Sequence, residues 1–126
     1  MATQPGTIVW NELNTHDVEG AKTFYSALLG WTYSIEEPHN YIVASKNGEV
    51  VAGLFDLSVL DNSESIPSSW LMYIETDDIE AAVKNTLASG GTCLRPVFSV
   101  AGVGQIAIIL DSTGASLGLI QSEDRL

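Results

Sequence analysis

Three side chains with chemical capacity alternate near the start of the sequence: Trp10, Glu12 and Asn14. A period of two puts them on one face of a β-strand and Val9, Asn11 and Leu13 on the other. A later run repeats the pattern, with Leu71, Tyr73 and Glu75 on one face and Trp70, Met72 and Ile74 on the other. The chemistry these permit is proton transfer and hydrogen bonding beside aromatic surface. On a partly apolar face, desolvation would raise the Glu12 carboxyl pKa, which suits a general base. A structural reading of Glu12 stays open: a carboxylate bonded to a loop backbone or standing at a sheet edge. Tyr73 offers its hydroxyl to a ligand or to a structural hydrogen bond. Trp10 is either core or ligand wall, and Glu75, near its strand's end, is either a ligand contact or a solvated carboxylate.

These runs belong to a larger pattern. Asp17-Val18-Glu19-Gly20-Ala21 returns as Asp78-Ile79-Glu80-Ala81-Ala82, 61 positions on, and each block follows a strand-like run and leads to glycine, at Gly30 and at Gly90-Gly91. Strand, cap, helix and glycine stop in the same order predict a duplication, with repeats over about 6–60 and 66–122 in one domain spanning 1–126. Asp17 and Asp78 are N-caps. Ala21, Phe24, Tyr25 and Leu28 form one apolar stripe, and Ile79, Ala82, Val83 and Leu87 the other. Short strands follow each helix, with Asn47-Gly48 as a hairpin turn and Asp111-Ser112-Thr113-Gly114 as its counterpart. Each half therefore reads β-α-β-β-β, one helix covering one sheet face and the other face left for a partner module or a cavity. Parity places Val51, Gly53 and Phe55 on that open face. It also assigns Gln105, Ala107 and Ile109 there, with Ile106, Ile108 and Leu110 toward the helix. Trp10, Phe55 and Tyr73 then form aromatic surface and Glu12, Asn14, Glu75 and Gln105 its polar points, the usual form of a small-molecule site.

Composition removes several alternatives. Five Lys+Arg stand against 16 Asp+Glu, a net charge of −11 in 126 residues. Nucleic-acid binding and polybasic membrane anchoring need the opposite balance. No apolar run approaches membrane-spanning length, and the first residues show no targeting pattern. The single cysteine, Cys93, forms no intrachain disulfide, so a reducing cytoplasmic setting is expected. His16 and His39 are expected at the surface. Gly102-Val103-Gly104 lacks the third glycine and the helix of a dinucleotide fingerprint.

The motifs resemble the vicinal oxygen chelate superfamily, also called the glyoxalase/bleomycin resistance/dioxygenase family. The resemblance rests on Trp10-x-Glu12-Leu13-x-Thr15-x-Asp17, Phe24-Tyr25, Leu28-Leu29-Gly30-Trp31, Val51-Ala52-Gly53-Leu54, Trp70 to Tyr73, Asp77 to Ala82 and Asp111-x-x-Gly114. It implies an α+β fold of two βαβββ modules forming a cupped mixed sheet. It implies a homodimer, with modules pairing within or between chains. Metal-dependent members carry His, Gln or Glu at four strand positions, which fall here at Trp10, Gly53, Leu71 and Gly118. None has a side chain that binds a divalent cation. No cofactor is therefore expected, a divalent metal being the lesser expectation, and the two glycines are expected to leave room for an organic ligand. The leading reading is a metal-free small-molecule binder of the resistance-protein type. The alternatives are a lyase, isomerase or hydrolase using Glu12 or a metal held by unforeseen ligands, and a partner-binding module without chemistry.

Overall fold

The computed structural model describes Gln4–Glu123. Elements follow as β1 (Ile8–Thr15), α1 (Val18–Leu29), β2 (Thr32–Glu36), β3 (Tyr41–Lys46), β4 (Glu49–Asp56), two short 3-10 turns, β5 (Ser69–Glu75), α2 (Ile79–Ala88), β6 (Thr92–Val100), β7 (Gly104–Leu110) and β8 (Ser116–Ser122). The order is β-α-β-β-β twice, as the sequence predicts. The described residues divide into two compact units, one holding Asn11–Leu71 and the other those before Asn11 with those from Met72 on. No helix among the described residues is long and apolar enough to cross a membrane.

In the unit of Asn11–Leu71 the strands run β2-β3-β4-β1, with β4 parallel to β1 and antiparallel to β3. Asp17 caps α1 by accepting from the Gly20 N–H at 2.9 Å, and Gly30 ends the helix in the left-handed region at φ 74°. Ala21 and Tyr25 pack with Trp31 onto the buried cluster Leu13, Ala44, Ala52 and Leu54. The rest of the predicted stripe departs from expectation: Phe24 is 56% and Leu28 61% exposed. A twelve-residue helix lying on one sheet offers only a narrow strip to it, and the small Ala21 with the Tyr25 ring fills that strip. Trp70, from the start of β5, meets Tyr25 edge-on and donates to its hydroxyl at 3.1 Å.

In the other unit the order is β5-β8-β7-β6, with β8 parallel to β5. Asp78 caps α2 through the Ala81 N–H, and Ile79, Ala82 and Val83 pack on Ala107, Ile109 and Leu119. Ala107 and Ile109 thus face the helix, the reverse of the predicted assignment. In Ile106–Leu110 every residue is apolar, so alternation carries no signal there. The small Ala107 lets the fully buried Ile79 approach the sheet. Leu87, from the predicted α2 stripe, remains exposed.

The turns follow their chemistry. Asn47 and Gly48 both have positive φ, 52° and 82°, as a two-residue hairpin with matching twist requires. Asp111 accepts from the Thr113 hydroxyl and from the backbone N–H groups of Thr113 and Ala115, and these bonds hold its carboxyl below the usual aspartate value.

Candidate functional site

The β1–β4 pairing sets Glu12 directly opposite Gly53 and Asn14 opposite Phe55, all on the face turned away from α1. Tyr41 and Val43 join them from β3, with Val43 opposite Gly53. The Tyr41 hydroxyl donates to Glu12 Oε2 at 2.6 Å, and Glu12 is only 7% exposed. A β-carbon added at Gly53 would overlap the Tyr41 phenol. Gly53 therefore makes room for this chain's own tyrosine, which corrects the expectation that it leaves space for a ligand.

The second unit repeats the device with a different donor of the ring. Tyr73 pairs with Gly118, and a β-carbon at Gly118 would overlap the Tyr73 ring. Tyr73 is buried. Its aromatic face is thus floor rather than free wall, and the expectation of open space at Gly118 is corrected in the same way.

Two other predicted site residues are placed elsewhere. Glu75 is fully buried; its carboxylate accepts from the Ser122 N–H at 2.9 Å and from the Ser122 hydroxyl at 2.5 Å. It is not the solvated strand end expected as one reading, because β8 brings Ser122 alongside it. Gln105 stands opposite Gln121 on the helix side, where Gln121 Oε1 accepts from the Ile79 N–H at the start of α2. Gln105 instead borders a shallow hollow of about 350 Å³ with Gln121 and Ser122. A second hollow, about 590 Å³, lies along α1 between Glu19, Lys22 and Tyr33. Asn14 and Phe55 keep the predicted face and are partly buried. Trp10 is half-buried and shares the strand parity of Glu12.

His16 and His39 are exposed, as expected; the His16 ring bonds with the Ile66 carbonyl and its backbone N–H donates to the Ser68 hydroxyl. Asp56, held below the usual carboxylate value by the Ser58 hydroxyl and N–H, closes the turn after β4. Burial raises the Tyr33 phenol, whose hydroxyl donates to the Lys22 carbonyl under α1. These displaced groups all serve local structure.

Sequence reasoning missed Tyr41 and the pair Arg95–Phe98. The Asn47-Gly48 turn alone would set Tyr41 opposite Leu54, on the helix side. An irregularity between Ala44 and Ser45 shifts the register by one, so that Ile42 opposes Leu54 and Tyr41 reaches the Glu12 face. The guanidinium of Arg95 lies 3.8 Å over the Phe98 ring. Spacing of three along a strand normally separates faces, so no alternation pattern reveals this pair.

A divalent metal of the kind held by metal-dependent members does not fit these residues. Trp10, Leu71, Gly53 and Gly118 present no donor side chain, and tyrosine rings occupy the space a longer side chain would need at both glycines. Among the described residues no three His, Cys, Asp or Glu side chains converge.

Known proteins place this arrangement. Residues 7–119 match the family model described as the glyoxalase/bleomycin resistance protein/dioxygenase superfamily. The protein named "Putative glyoxylase CFP32" from Mycobacterium tuberculosis is 36% identical over 121 residues, covering 93% of this chain and 46% of its own length. "Anthracycline biosynthesis protein DnrV" from Streptomyces peucetius is 27% identical over 128 residues, with coverage of 91% and 46%. The chain thus spans just under half the length of these relatives. The crystal structure of methylmalonyl-CoA epimerase from Mycobacterium tuberculosis has the same fold, with TM-score 0.61, 14% identity and coverage of 97% of this chain and 92% of that one. Hypothetical protein BH1468 from Bacillus halodurans C-125 aligns with TM-score 0.64 and 10% identity, over 98% and 99%.

Proposed function

The chain belongs to the glyoxalase/bleomycin resistance protein/dioxygenase superfamily, and from that premise we propose that it holds a small organic molecule without a divalent metal, on the sheet face turned away from the helices. The observation that carries this reading is the Tyr41–Glu12 hydrogen bond lying over Gly53. It sets a buried carboxylate and a phenol hydroxyl where metal-dependent members carry ligands, with Asn14 and Phe55 on the same face. The carboxylate accepts a donor on the ligand, and the Phe55 ring supplies apolar contact. Proton abstraction by Glu12 in a lyase or isomerase reaction is the second reading. The short bond from Tyr41 favours it, because it fixes the orientation of the carboxylate.

The metal-free reading is tested on protein purified without chelators. Elemental analysis is expected to find far less than one divalent ion per chain. The Tm is expected to be the same with EDTA and with added Mn²⁺, Ni²⁺ or Zn²⁺. One tightly held ion per chain, with a Tm that drops on chelation, would overturn it. The second reading fails if Glu12→Gln keeps full turnover on a substrate once one is identified.

We also infer a homodimer and a cytoplasmic setting. Single-cysteine composition supports the setting. The dimer is supported by Phe24 and Leu28, both more than half exposed and continuous with the Tyr25, Trp31 and Trp70 ring cluster. A second copy of this chain covers such a face. Light scattering on size-exclusion is expected to read twice the chain mass, and Phe24→Glu with Leu28→Glu to read a folded monomer. A monomeric native chain would end the inference.

A further inference from the structure

We infer that Arg95 and Phe98 make a subsite for a small organic anion, an aryl or acyl carboxylate whose oxygens meet the guanidinium and whose body lies on Ile106 and Ile108. The inference rests on the small-molecule reading above and names the class of ligand. Register places the surface. Arg95 opposes Ile108, Ile108 opposes Gly118, and Gly118 opposes Tyr73, so these four form one row across the sheet on the face turned from α2. Phe98 opposes Ile106 in the next row. Ile106, Ile108 and Phe98 are half-buried. Three strand steps separate Arg95 from Tyr73, about 14 Å, enough for a compact apolar body.

β6 is shaped to present this pair. Its pairing with β7 is irregular between Cys93 and Arg95 and again between Arg95 and Phe98. Such irregularities re-aim side chains. Here they bring Arg95 and Phe98 to one face, while Val97 between them packs toward α2.

Charge gives the ligand its sign. The sequence has 16 acidic residues against five Lys and Arg, and among the described residues Arg95 lies over the Phe98 ring with no carboxylate within ion-pair distance. Glu75, on the same face, is engaged with Ser122. A guanidinium stacked on an aromatic ring keeps its N–H edge available for a bidentate carboxylate, and its orientation is already set. The net charge of −11 opposes an anion at long range but is screened beyond about 8–10 Å at ordinary salt, whereas the Arg95 contact is direct.

The test uses the full chain with ¹³C-methyl isoleucine and valine, and two probes of one shape: 1-naphthoate and the neutral 1-naphthalenemethanol. Naphthoate is expected to move the Ile106 and Ile108 methyl signals and to bind about tenfold more tightly than the alcohol. Arg95→Gln is expected to abolish that preference and Arg95→Lys to keep part of it, with unchanged spectral dispersion in both. Equal affinity for the two probes, or an undiminished preference in Arg95→Gln, would overturn the anion subsite. So would naphthoate that leaves both isoleucines unmoved. Movement of Val43 alone would then leave the small-molecule reading standing, and silence at every methyl would remove both.

Discussion

Gly118→Ala is expected to cost about 1–3 kcal/mol of folding stability, although the substitution adds a single methyl group to a strand. The methyl would fall on the Tyr73 ring, which pairs with Gly118 across the parallel β5–β8 ladder. Tyr73 is buried between its neighbours, so it cannot swing aside without losing its packing. Tyr73→Ala is itself destabilising, by about 3–5 kcal/mol if it follows other buried aromatic truncations. The diagnostic quantity is the coupling. In the double variant the added methyl occupies vacated space, and a favourable interaction of about 0.5–3 kcal/mol is expected in urea denaturation. The same cycle at Gly53 and Tyr41 is expected to give the same sign, because the Tyr41 phenol fills the corresponding space there. Additive effects, or a neutral Gly118→Ala, would mean that the glycines leave open space after all.

Glu75→Ala is expected to lower stability by about 2–5 kcal/mol, since the two part-buried donors of Ser122 lose a buried charged acceptor and a hydrogen bond to a charged group contributes about 1.5–3 kcal/mol. Ser122→Ala removes only the hydroxyl and is expected to cost about 1.5–3 kcal/mol, the range of a hydrogen bond to a charged group. Together they distinguish a structural carboxylate from a ligand contact. If Glu75 served a ligand, its truncation would change binding and leave unfolding nearly unmoved, which denaturation with and without probe compounds would reveal.

Both experiments bear on why the superfamily's metal positions read as they do here. Each unit has substituted a tyrosine over a glycine, but by different routes. In one the ring comes from the facing strand position, Tyr73 itself. In the other that position is Glu12, and the ring arrives from β3. Around Gly53 the outcome is a carboxylate held by a phenol. Around Gly118 it is a buried aromatic ring in one row with Arg95.

Several features were legible in the sequence because their causes are local. Asp17 and Asp78 cap because a carboxylate is in reach of the N–H three residues on. Asn47-Gly48 turns because both residues tolerate positive φ. The faces of β1 were readable because Leu13 stands between the polar Glu12 and Asn14, and Leu13 and Leu54 are buried where Glu12 and Gly53 oppose each other on the other side. The order β-α-β-β-β, repeated, and the family it identifies follow from such signals together.

Tertiary structure decided the rest. The uniformly apolar Ile106–Leu110 is compatible with either face, and packing of Ile79 against Ala107 chose one, carrying Gln105 away from the open side. One-residue register shifts in β3 and β6 brought Tyr41 to Glu12 and Arg95 to Phe98, and no local pattern encodes a shift whose benefit lies in contacts across strands. Glu75 found Ser122 only because β8 runs parallel beside β5. The sequence by itself determined the elements, their caps and the absence of metal-ligating side chains at four strand positions. Which side chains fill the space at Gly53 and Gly118, and which polar groups lie on the face turned from the helices, depended on partners tens of residues away, because those contacts exist only once the strands are in register.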